Sequence, residues 1–449
     1  MSAENYINEV LQTIKNKHAD KPEYIQAVAE FFSDLTPYLE EHPEIEEHNI
    51  LELIAEPERI IQFRVPWADD QGKWNVNLAW RVQYNSTLGP YKGGIRFDPS
   101  VNESILRFLG FEQTFKNALT MLPLGGGKGG SDFDPKGKSD QEIMRFTQSF
   151  MTELQKYIGP DFDVPAGDIG VGHREIAYMY GQYKRLNQPE PGVLTGKPTN
   201  QWGSFGRTEA TGYGAVYFAE NALKDRSSSL KGKKVVVSGS GNVGIYTIEK
   251  ATELGATVIA VSNSKGYIYD ENGIDAEILK TISPNNSNTI KEYVDQKSTA
   301  TYIDGKSVWE DAFDYDIAFP CATQNEITKE FAENITKNCQ IEAIFEGANM
   351  PNDDEAVQVY KENDVLFAPG KAANAGGVAV SALEMAQNSQ REQWTAEEVD
   401  ERLQTIMSDI YTQCSKTAEK YADKNDLQTG ANIAGFARVA TAMIEQGLV

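Results

Sequence analysis

Apolar and polar positions follow two different periods along the chain, and the change of period predicts where helices give way to strands. Residues 4–39 have the three- and four-residue apolar spacing of amphipathic helices, which predicts two helices. Residues 60–65 and 75–82 have the apolar runs and two-residue alternation of strands. Residues 103–122 return to helical spacing. The first part of the chain is therefore predicted to mix helices and strands.

The second part of the chain has a more regular pattern, in which short apolar runs alternate with helical segments. The runs lie at residues 235–237, 258–261, 317–319, 343–345 and 365–367. Buried strands separated by helices are typical of a parallel, doubly wound sheet. A chain of 449 residues is too long for one ordinary core. We therefore predict an α/β fold with two domains, residues 1–200 and residues 201–424, with a polar linker at 187–199.

Composition narrows the possible partners and the cellular location. The 66 acidic and 42 basic residues give a formal net charge of −24, which would repel a phosphate backbone, so we expect no nucleic-acid partner. No apolar run reaches about 18 residues, and the acidic, polar beginning of the sequence is unlike a signal peptide, so we expect no membrane span. Cys321, Cys339 and Cys414 lack metal-ligand spacing. We expect reduced thiols, a cytoplasmic protein and no metal site.

A glycine-rich turn in the second domain indicates a dinucleotide site. The turn follows the predicted strand at 235–238 and precedes a helical pattern at 245–254, which is the context that a Gly-x-Gly-x-x-Gly fingerprint requires. Its glycines allow close approach of a pyrophosphate, and the helix N-terminus offers N–H groups to it. The alternative is a purely structural turn. The candidate residues are Gly239, Ser240, Gly241, Asn242, Val243 and Gly244.

The residues after the next strand bear on the choice of cofactor. NAD-binding versions of the fingerprint usually place an acid about 20 residues on, where it binds the ribose 2′-hydroxyl. Here Ser264 and Lys265 follow the strand, and no carboxylate appears before Asp270. A hydroxyl and a lysine suit a 2′-phosphate better, so the sequence favours NADP over NAD. The alternative is that these residues form a solvated turn.

Three lysines in the first domain lie in unusual settings for surface lysines. Lys92 precedes two glycines, Lys128 lies between glycines on both sides, and Lys116 follows Gln113 by three residues, on the same helix face. Asp168 lies in the segment PAGDIG. Glycines let a ligand approach closely, so the lysines are candidates for binding an anion, although each alone could be solvated surface.

Two other interpretations of these segments are less favourable. Lys128 is followed by Gly129 rather than by Ser or Thr, and the preceding glycine spacing is wrong for a phosphate-binding P-loop, so ATP chemistry is rejected. His173 lies five residues after Asp168 and could be mistaken for a general base. We expect His173 to have a structural role.

Seven segments resemble the hexameric glutamate dehydrogenases, and the resemblance spans almost the whole chain. The segments are YKGGIRF, LGFEQTFKNALTMLPLGGGKGG, PAGDIGVGHRE, GRTEATGYG, SGSGNVG, FEGANMP and FAPGKAANAGGVAVSALEMAQN. The resemblance implies an N-terminal α/β substrate and assembly domain and a Rossmann-like NAD(P)-binding domain, with the active site in the cleft. It also implies that a C-terminal helix, about residues 425–449, returns to the first domain, and that the protein is a homohexamer.

The same resemblance implies a role for individual residues. Lys128 would be the catalytic lysine and Asp168 its partner in proton transfer. The residues implied to bind ligands are Lys92 and Ser381 for the substrate's side-chain carboxylate, Gln113, Lys116 and the Gly167 backbone for the α-carboxylate, and Thr211 and Asn242 for the dinucleotide. The chemistry is compatible with these residues, because a lysine of ordinary pKa, about 10.4, is a poor proton shuttle until burial beside other cations lowers its pKa.

The expected function is reversible oxidative deamination of L-glutamate to 2-oxoglutarate and ammonia with NADP, used for ammonium assimilation. A branched-chain or aromatic amino-acid dehydrogenase of the same superfamily is the nearest alternative, although such relatives carry apolar residues in place of Lys92 and Ser381. A non-catalytic dinucleotide sensor is the alternative from another class. Such a sensor would not need both Lys128 and Asp168.

Overall fold

Two mixed β-sheets, each packed against helices, organise the protein. A computed structural model describes residues 2–282, 290–311 and 313–448. Helices α1 to α18 are, in order, Ala3–Lys17, Pro22–Ser33, Thr36–Glu41, Glu44–Glu47, Ile50–Ile54, Glu103–Leu119, Asp140–Leu154, His173–Leu186, Ala210–Asp225, Asn242–Glu253, Ala276–Ile282, Tyr293–Gln296, Lys329–Asn338, Asp354–Glu362, Gly370–Ala373, Gly376–Gln390, Ala396–Tyr421 and Leu427–Gln446. Strands β1 to β12 are Arg59–Ala68, Trp74–Asn85, Tyr91–Phe97, Gly126–Ser131, Asp163–Gly167, Lys234–Ser238, Thr257–Asn263, Gly266–Tyr269, Thr301–Asp304, Ile317–Pro320, Ala343–Phe345 and Leu366–Ala368.

The chain divides into two compact units, and each unit is discontinuous in sequence. Unit 1 consists of Met1–Arg207, Val378–Val399 and Asn432–Val449, and unit 2 consists of Thr208–Gly377 and Asp400–Ala431. Most of α16 therefore packs with unit 1, although the sequence prediction assigned it to the second domain. The apolar spacing of a helix shows that one face is buried but does not show which core buries it.

Unit 1 contains a five-stranded sheet in the order β1-β2-β4-β3-β5. Strands β1, β2 and β4 pair antiparallel, whereas β3 lies parallel to both β4 and β5. An aromatic core joins the sheet to α7, with Phe97, Phe146 and Phe150 all buried and the Phe133 and Phe146 rings stacked 3.7 Å apart. Each fully buried ring of this kind contributes about 1.5–3 kcal/mol through removal from water.

Four of the six residues of strand β4 are glycines, and the strand lies between β2 and β3. The sequence pattern did not predict it, because glycine is depleted in strands. Its glycines are required by protein neighbours: a Cβ on Gly126 would lie 2.0 Å from Oγ1 of Thr114 on α6, and a Cβ on Gly130 would lie 2.5 Å from the Arg96 carbonyl oxygen of β3. Our interpretation that the glycines make room for a ligand is therefore incomplete, because they also make room for α6 and β3.

Unit 2 contains the predicted doubly wound sheet, extended at one edge. The strand order is β12-β11-β10-β6-β7-β8-β9. The first five strands are parallel, which confirms the fold class expected from the apolar runs. Strands β8 and β9 add an antiparallel edge. Both strands have only four residues, which is too short to give a distinct pattern.

The helices, the acidic and metal-binding side chains and the cysteines of the described residues can be compared with what the sequence predicts. Within residues 2–282, 290–311 and 313–448, no helix is long and apolar enough to cross a membrane. The same described ranges contain no group of three or more His, Cys, Asp or Glu side chains arranged to hold a metal ion. Cys321, Cys339 and Cys414 are present as thiols, and Cys321 and Cys414 are buried.

Candidate active site

Unit 1 brings together the candidate lysines and Asp168 from four different elements. Lys92 lies on β3, Lys116 on α6 and Lys128 on β4, and Asp168 follows the last residue of β5. Nζ of Lys128 lies 2.9 Å from Oδ2 of Asp168. The charge of Lys128 in turn helps to lower the pKa of Lys116. The strand register brings Lys128 and Asp168 near each other, because β3 lies between β4 and β5 and is parallel to both.

Asp168 is paired with a second cation that the sequence analysis did not identify. Nε of Arg96 donates to Oδ2 of Asp168 at 2.9 Å, the same oxygen that Lys128 contacts. Burial raises the pKa of Asp168, but Lys128 and Arg96 outweigh it and hold this pKa at about 2. The sequence alone does not single out Arg96, because an arginine outside a recognised motif is ordinarily a solvated residue.

The two lysines around Asp168 have lowered pKa values. Burial is the main cause for Lys116, whose pKa falls to about 7, and the nearby Lys128 charge lowers it further. Burial also lowers the pKa of Lys128, although Asp168 opposes this effect. Both groups can therefore exchange protons closer to neutral pH than an ordinary lysine does.

Lys92 lies in a second cationic group, together with Ser381 and Arg207. The Lys92 side chain is almost completely buried and donates to the Val164 carbonyl oxygen at 3.0 Å and to Oγ1 of Thr195 at 2.8 Å. Nε of Arg207 donates to Oγ of Ser381 at 3.0 Å. The pKa of Lys92 is far below its ordinary value, mainly through burial and next through the Arg207 charge. Arg207 was not among the predicted site residues.

A buried ion pair fixes the loop that precedes Arg207. Nζ of Lys197 lies 2.7 Å from Oε1 of Glu384 and 2.8 Å from Oδ1 of Asn388. The Gly196 N–H donates to the other Glu384 oxygen at 2.9 Å. Nδ1 of His173 lies 2.9 Å from the Gly196 carbonyl oxygen, a structural contact of the kind expected for this histidine. The loop is therefore attached both to α16 and to the start of α8.

The predicted α-carboxylate residues lie beside the same strands. Nε2 of Gln113 donates to Oδ1 of Asn117 at 2.7 Å, and Nδ2 of Asn117 donates to the Lys92 carbonyl oxygen at 3.1 Å. Gly167 is the last residue of β5 and pairs with Ile95 of β3. A Cβ on Gly167 would lie 2.5 Å from the Val171 carbonyl oxygen, so no other residue fits without movement.

The fingerprint of unit 2 has the geometry of a pyrophosphate cradle. Gly239 has φ +85°, and a Cβ there would lie 2.8 Å from the Cys321 carbonyl oxygen. A Cβ on Gly244 would lie 1.8 Å from the Gly239 carbonyl oxygen. Helix α10 begins at Asn242 after Gly241, and among the described residues no side chain caps its N-terminus. The N–H groups of this turn fit the phosphates of a dinucleotide.

The remaining candidate residues for binding a dinucleotide in unit 2 lie on α9 and in the turn between β7 and β8. Thr211 lies in the first turn of α9, next to Gly212, whose Cβ would lie 2.6 Å from the Thr247 nitrogen of α10. Ser264 and Lys265 form the exposed turn between β7 and β8. Oδ1 of Asn263 accepts from the Lys265 N–H at 2.9 Å and from the Gly266 N–H at 3.2 Å, which fixes the turn.

The acid nearest to this turn in sequence is engaged elsewhere. Asp270 is fully buried, and its carboxylate accepts from the Thr299 hydroxyl at 2.7 Å and from the Asn272 N–H at 2.9 Å. Tyr302 lies against the end of the turn, because a Cβ on Gly266 would lie 2.8 Å from its hydroxyl.

Comparisons with known proteins agree over the whole chain. The model for "Glutamate/Leucine/Phenylalanine/Valine dehydrogenase" matches residues 203–447, and the model for its dimerisation domain matches residues 57–185. The chain belongs to this dehydrogenase family. It is 54% identical to the NADP-specific glutamate dehydrogenase of Giardia intestinalis over 99% of both chains. It is 50% identical to the NAD-specific glutamate dehydrogenase of Porphyromonas gingivalis over 98% of this chain and 99% of the relative.

A solved structure of a glutamate dehydrogenase from Plasmodium falciparum is also similar. Its TM-score is 0.96 at 49% identity, and the match covers 100% of this chain and 96% of that one. The match supports the two-domain α/β architecture of this family member. Nicotinamide dinucleotides serve the relatives named above, but they differ between NADP and NAD. Thr195 and Lys197 lie between the two matched regions, so the loop at the Lys92 group belongs to neither.

Proposed function

We propose that this dehydrogenase-family member interconverts L-glutamate with 2-oxoglutarate and ammonia, using NADP. The observation that carries the proposal is the pair of cationic groups in unit 1 of an otherwise acidic chain. One group contains Lys92, Arg207 and Ser381, and the other contains Lys116 and Lys128 beside Asp168. Two cationic groups suit a substrate with two carboxylates, because a buried carboxylate requires a charged partner.

The Lys92 group is proposed to bind the side-chain carboxylate. Lys92 and Ser381 each have a polar atom in a nearly water-free environment, and Arg207 adds a permanent charge. An apolar substrate side chain would bring no carboxylate to Lys92 and Arg207. The acid that acts on both, Glu384, is already paired with Lys197. This argues against a leucine, valine or phenylalanine substrate. The family model includes those enzymes, so they remain the second candidate function.

The Lys116 group is proposed to hold the reacting end of the substrate. Lys116, Gln113 and the backbone at Gly167 bind the α-carboxylate, while Lys128 and Asp168 exchange protons with the amino group and with water. A bound dinucleotide accepts or donates the hydride at the α-carbon. The lowered pKa of Lys128, caused mainly by burial, suits this proton exchange. A non-catalytic sensor would have no use for an ion pair between Lys128 and Asp168.

We propose that NADP is preferred over NAD and that it is bound by unit 2. Ser264 and Lys265 offer a hydroxyl and a charge from an exposed turn. Asp270 is buried and already bonded, so it does not compete with a 2′-phosphate. The fingerprint residues Gly239, Ser240, Gly241, Asn242, Val243 and Gly244, together with Thr211, complete the proposed cofactor site.

We further propose a homohexamer that works in the cytoplasm and assimilates ammonium. Strand β2 exposes Trp74, Val76 and Leu78 at alternate positions on one face. Exposed apolar surface of this kind marks protein contacts, and the matched dimerisation domain includes the strand. Sedimentation should give about six times the chain mass of 49.8 kDa. A fully active monomer would contradict the assembly.

The experiment that tests the activity is an absorbance assay at 340 nm with 2-oxoglutarate, ammonium and NADPH. We expect rapid loss of NADPH absorbance with 2-oxoglutarate and at least about 100-fold lower kcat/KM with 2-oxoisocaproate or phenylpyruvate. Parallel reactions with NADH compare the cofactors. Higher kcat/KM with an apolar keto acid would overturn the glutamate assignment, and no turnover with any keto acid would favour the sensor.

A further inference from the structure

We infer that Arg96 is a positioning residue for proton transfer: it holds the Asp168 carboxylate in place while Lys128 loses and regains its proton. The inference rests on the proposed roles of Lys128 and Asp168. Oδ2 of Asp168 accepts from Nε of Arg96 and lies beside Nζ of Lys128, each at 2.9 Å. One carboxylate oxygen is therefore shared between a titratable cation and a permanent one.

The backbone on both sides of Arg96 is fixed with respect to Asp168. Ile95 of β3 pairs with Gly167 of β5, and the Phe97 N–H donates to the Ile169 carbonyl oxygen at 2.9 Å. Arg96 itself pairs with Gly130 of β4, two residues beyond Lys128. The side chain of Arg96 therefore reaches Asp168 from a strand that contacts both partners of the ion pair.

The permanent charge of Arg96 keeps the Asp168 carboxylate paired during the proposed proton transfer. When Lys128 gives up its proton, Asp168 loses one of its two cations, and a buried carboxylate without a cation would either take up a proton or turn away. Arg96 keeps its charge throughout, because guanidinium groups do not deprotonate in proteins. The side chains of Arg96 and Asp168 are only 15% and 18% exposed, so water screens their attraction weakly.

Several other charged groups act on the same pair. Lys128 is affected by Arg81 of β2 in addition to Arg96 and Asp168. Lys116 of α6 is affected by Lys128, Asp168, Arg207 and Glu112. Arg81 is bonded to the fully buried carboxylate of Asp163, so part of its charge is already balanced. Arg96 is the cation that both Lys128 and Asp168 share.

Replacement of Arg96 by Met or Gln tests the inference. Removal of the cation should raise the pKa of Lys128 and that of Asp168. The Asp168 pKa, about 2 in the wild type, stays below the pH range of the assay, so the limb of the kcat/KM profile that reports Lys128 should move to higher pH by about 0.5–1 pH unit. We expect kcat at pH 7 to fall about tenfold or more, while KD for NADPH stays unchanged. Arg96→Lys should largely restore the profile. A merely structural residue would lower activity or melting temperature without shifting the limb that reports Lys128.

A second measurement does not depend on the substrate. The pH dependence of Lys128 acylation by acetic anhydride, read by peptide mass spectrometry, gives the Lys128 pKa without turnover. An upward move in Arg96→Met or Arg96→Gln supports the inference even if glutamate proves not to be the substrate. An unchanged Lys128 titration in whichever variant folds overturns it. Arg174→Met is the matched control, because Arg174 of unit 1 pairs with Glu175 and Asp140 and should leave the titration unchanged.

Discussion

Lys197 and Glu384 form an ion pair with 2.7 Å between Nζ and Oε1, and both side chains are completely excluded from solvent. The pair connects the loop after Thr195, which contacts Lys92, to α16, which carries Ser381. Two residues of the proposed side-chain site thus depend on one buried contact. Removing one member of such a pair leaves an uncompensated charge, whereas removing both need not destabilise the fold.

Glu384→Gln should therefore lower stability severely, by up to about 3–5 kcal/mol. Burial lowers the pKa of Lys197 while Glu384 raises it, so the lysine can escape part of this cost by losing its proton. Denaturant unfolding measures the change, and the exposed pair Lys337 and Glu333 supplies the control, since Glu333→Gln should cost less than about 1 kcal/mol. Equal effects of the two substitutions would show that the buried pair does not stabilise the fold.

Binding of a dicarboxylate should take up protons at alkaline pH. The pKa of Lys116 is about 7, mainly because of burial. Above that pH Lys116 is mostly neutral, and a bound carboxylate raises its pKa again. Calorimetry of glutarate binding, in buffers of different ionisation enthalpy, measures the number of protons taken up. We expect Lys116 to take up about one proton at pH 8 and little at pH 6.

Lys116→Arg is the control for this measurement, because arginine stays charged at both values of pH. Uptake at pH 8 should fall by about one proton in the variant, and uptake at pH 6 should stay nearly the same. Lys92 and Lys128 also have lowered pKa values, mainly from burial, so the difference in uptake between the two proteins, rather than the uptake of either one, measures the contribution of Lys116. Identical uptake at pH 8 in the two proteins would refute the assigned pKa of Lys116.

Asp168→Asn should lower kcat by about 10² or more, because an amide cannot exchange protons with the amino group. The fold should survive, since asparagine keeps the size of the side chain and can still accept from Arg96. Dinucleotide binding in unit 2 should be unchanged, and fluorescence titration with NADPH checks it. A variant that turns over at nearly the wild-type rate would remove Asp168 from the mechanism.

Ser264→Asp with Lys265→Ala should shift kcat/KM from NADP toward NAD. The added carboxylate would repel a 2′-phosphate, and loss of the lysine would remove a charge-assisted contact of about 1.5–3 kcal/mol. Rates with both cofactors measure the ratio. Lys337→Ala, on helix α13, is the control for loss of an exposed lysine charge in unit 2. Equal efficiency of the wild-type enzyme with both cofactors would contradict the premise.

Much of the fold was predictable from local sequence patterns. The apolar runs predicted the parallel strands of unit 2, and the glycine spacing predicted a cradle at Gly239 and Gly244. Strand β4 was not predictable, because its glycines carry no apolar pattern and serve the close packing of α6 and β3. The packing of α16 with unit 1 was also not predicted, since the periodicity of a helix shows that one face is buried but does not show which core buries that face.

Some residues of the candidate site were predictable from the sequence, and others were not. Lys92 and Lys128 were recognisable because glycines flank them, and their long neighbouring segments resemble a known family. Arg96, Arg207 and the pair of Lys197 with Glu384 were not, because each acts on a residue that is distant in sequence. Strand register and helix packing create those contacts, and single-residue patterns carry no information about them.

Lys92→Leu with Ser381→Val tests the identity of the substrate most directly. The double substitution would remove the lysine charge and the serine hydroxyl from the Lys92 group, while Lys116 and Gln113 would still be available for the α-carboxylate. Glutamate kcat/KM should fall by at least about 10², because its side-chain carboxylate would lose a nearly water-excluded charge partner. Activity on norvaline, norleucine or methionine should rise measurably, although by less, since specificity is a difference between affinities.

Arg207 makes this prediction sharper. Its Nε donates to Oγ of Ser381 at 3.0 Å, so Ser381→Val deprives the guanidinium of that acceptor and leaves a charge in the altered group. Arg207 could then bind the glutamate carboxylate by itself, and the loss would stay near the lower bound. Adding Arg207→Met should deepen the loss on glutamate and increase the gain on norleucine, as measured by initial rates with both amino acids. If the double variant instead oxidises glutamate as well as the wild type, and the triple variant does too, these three residues do not bind the side chain. The glutamate assignment would then lose its strongest residue-level support.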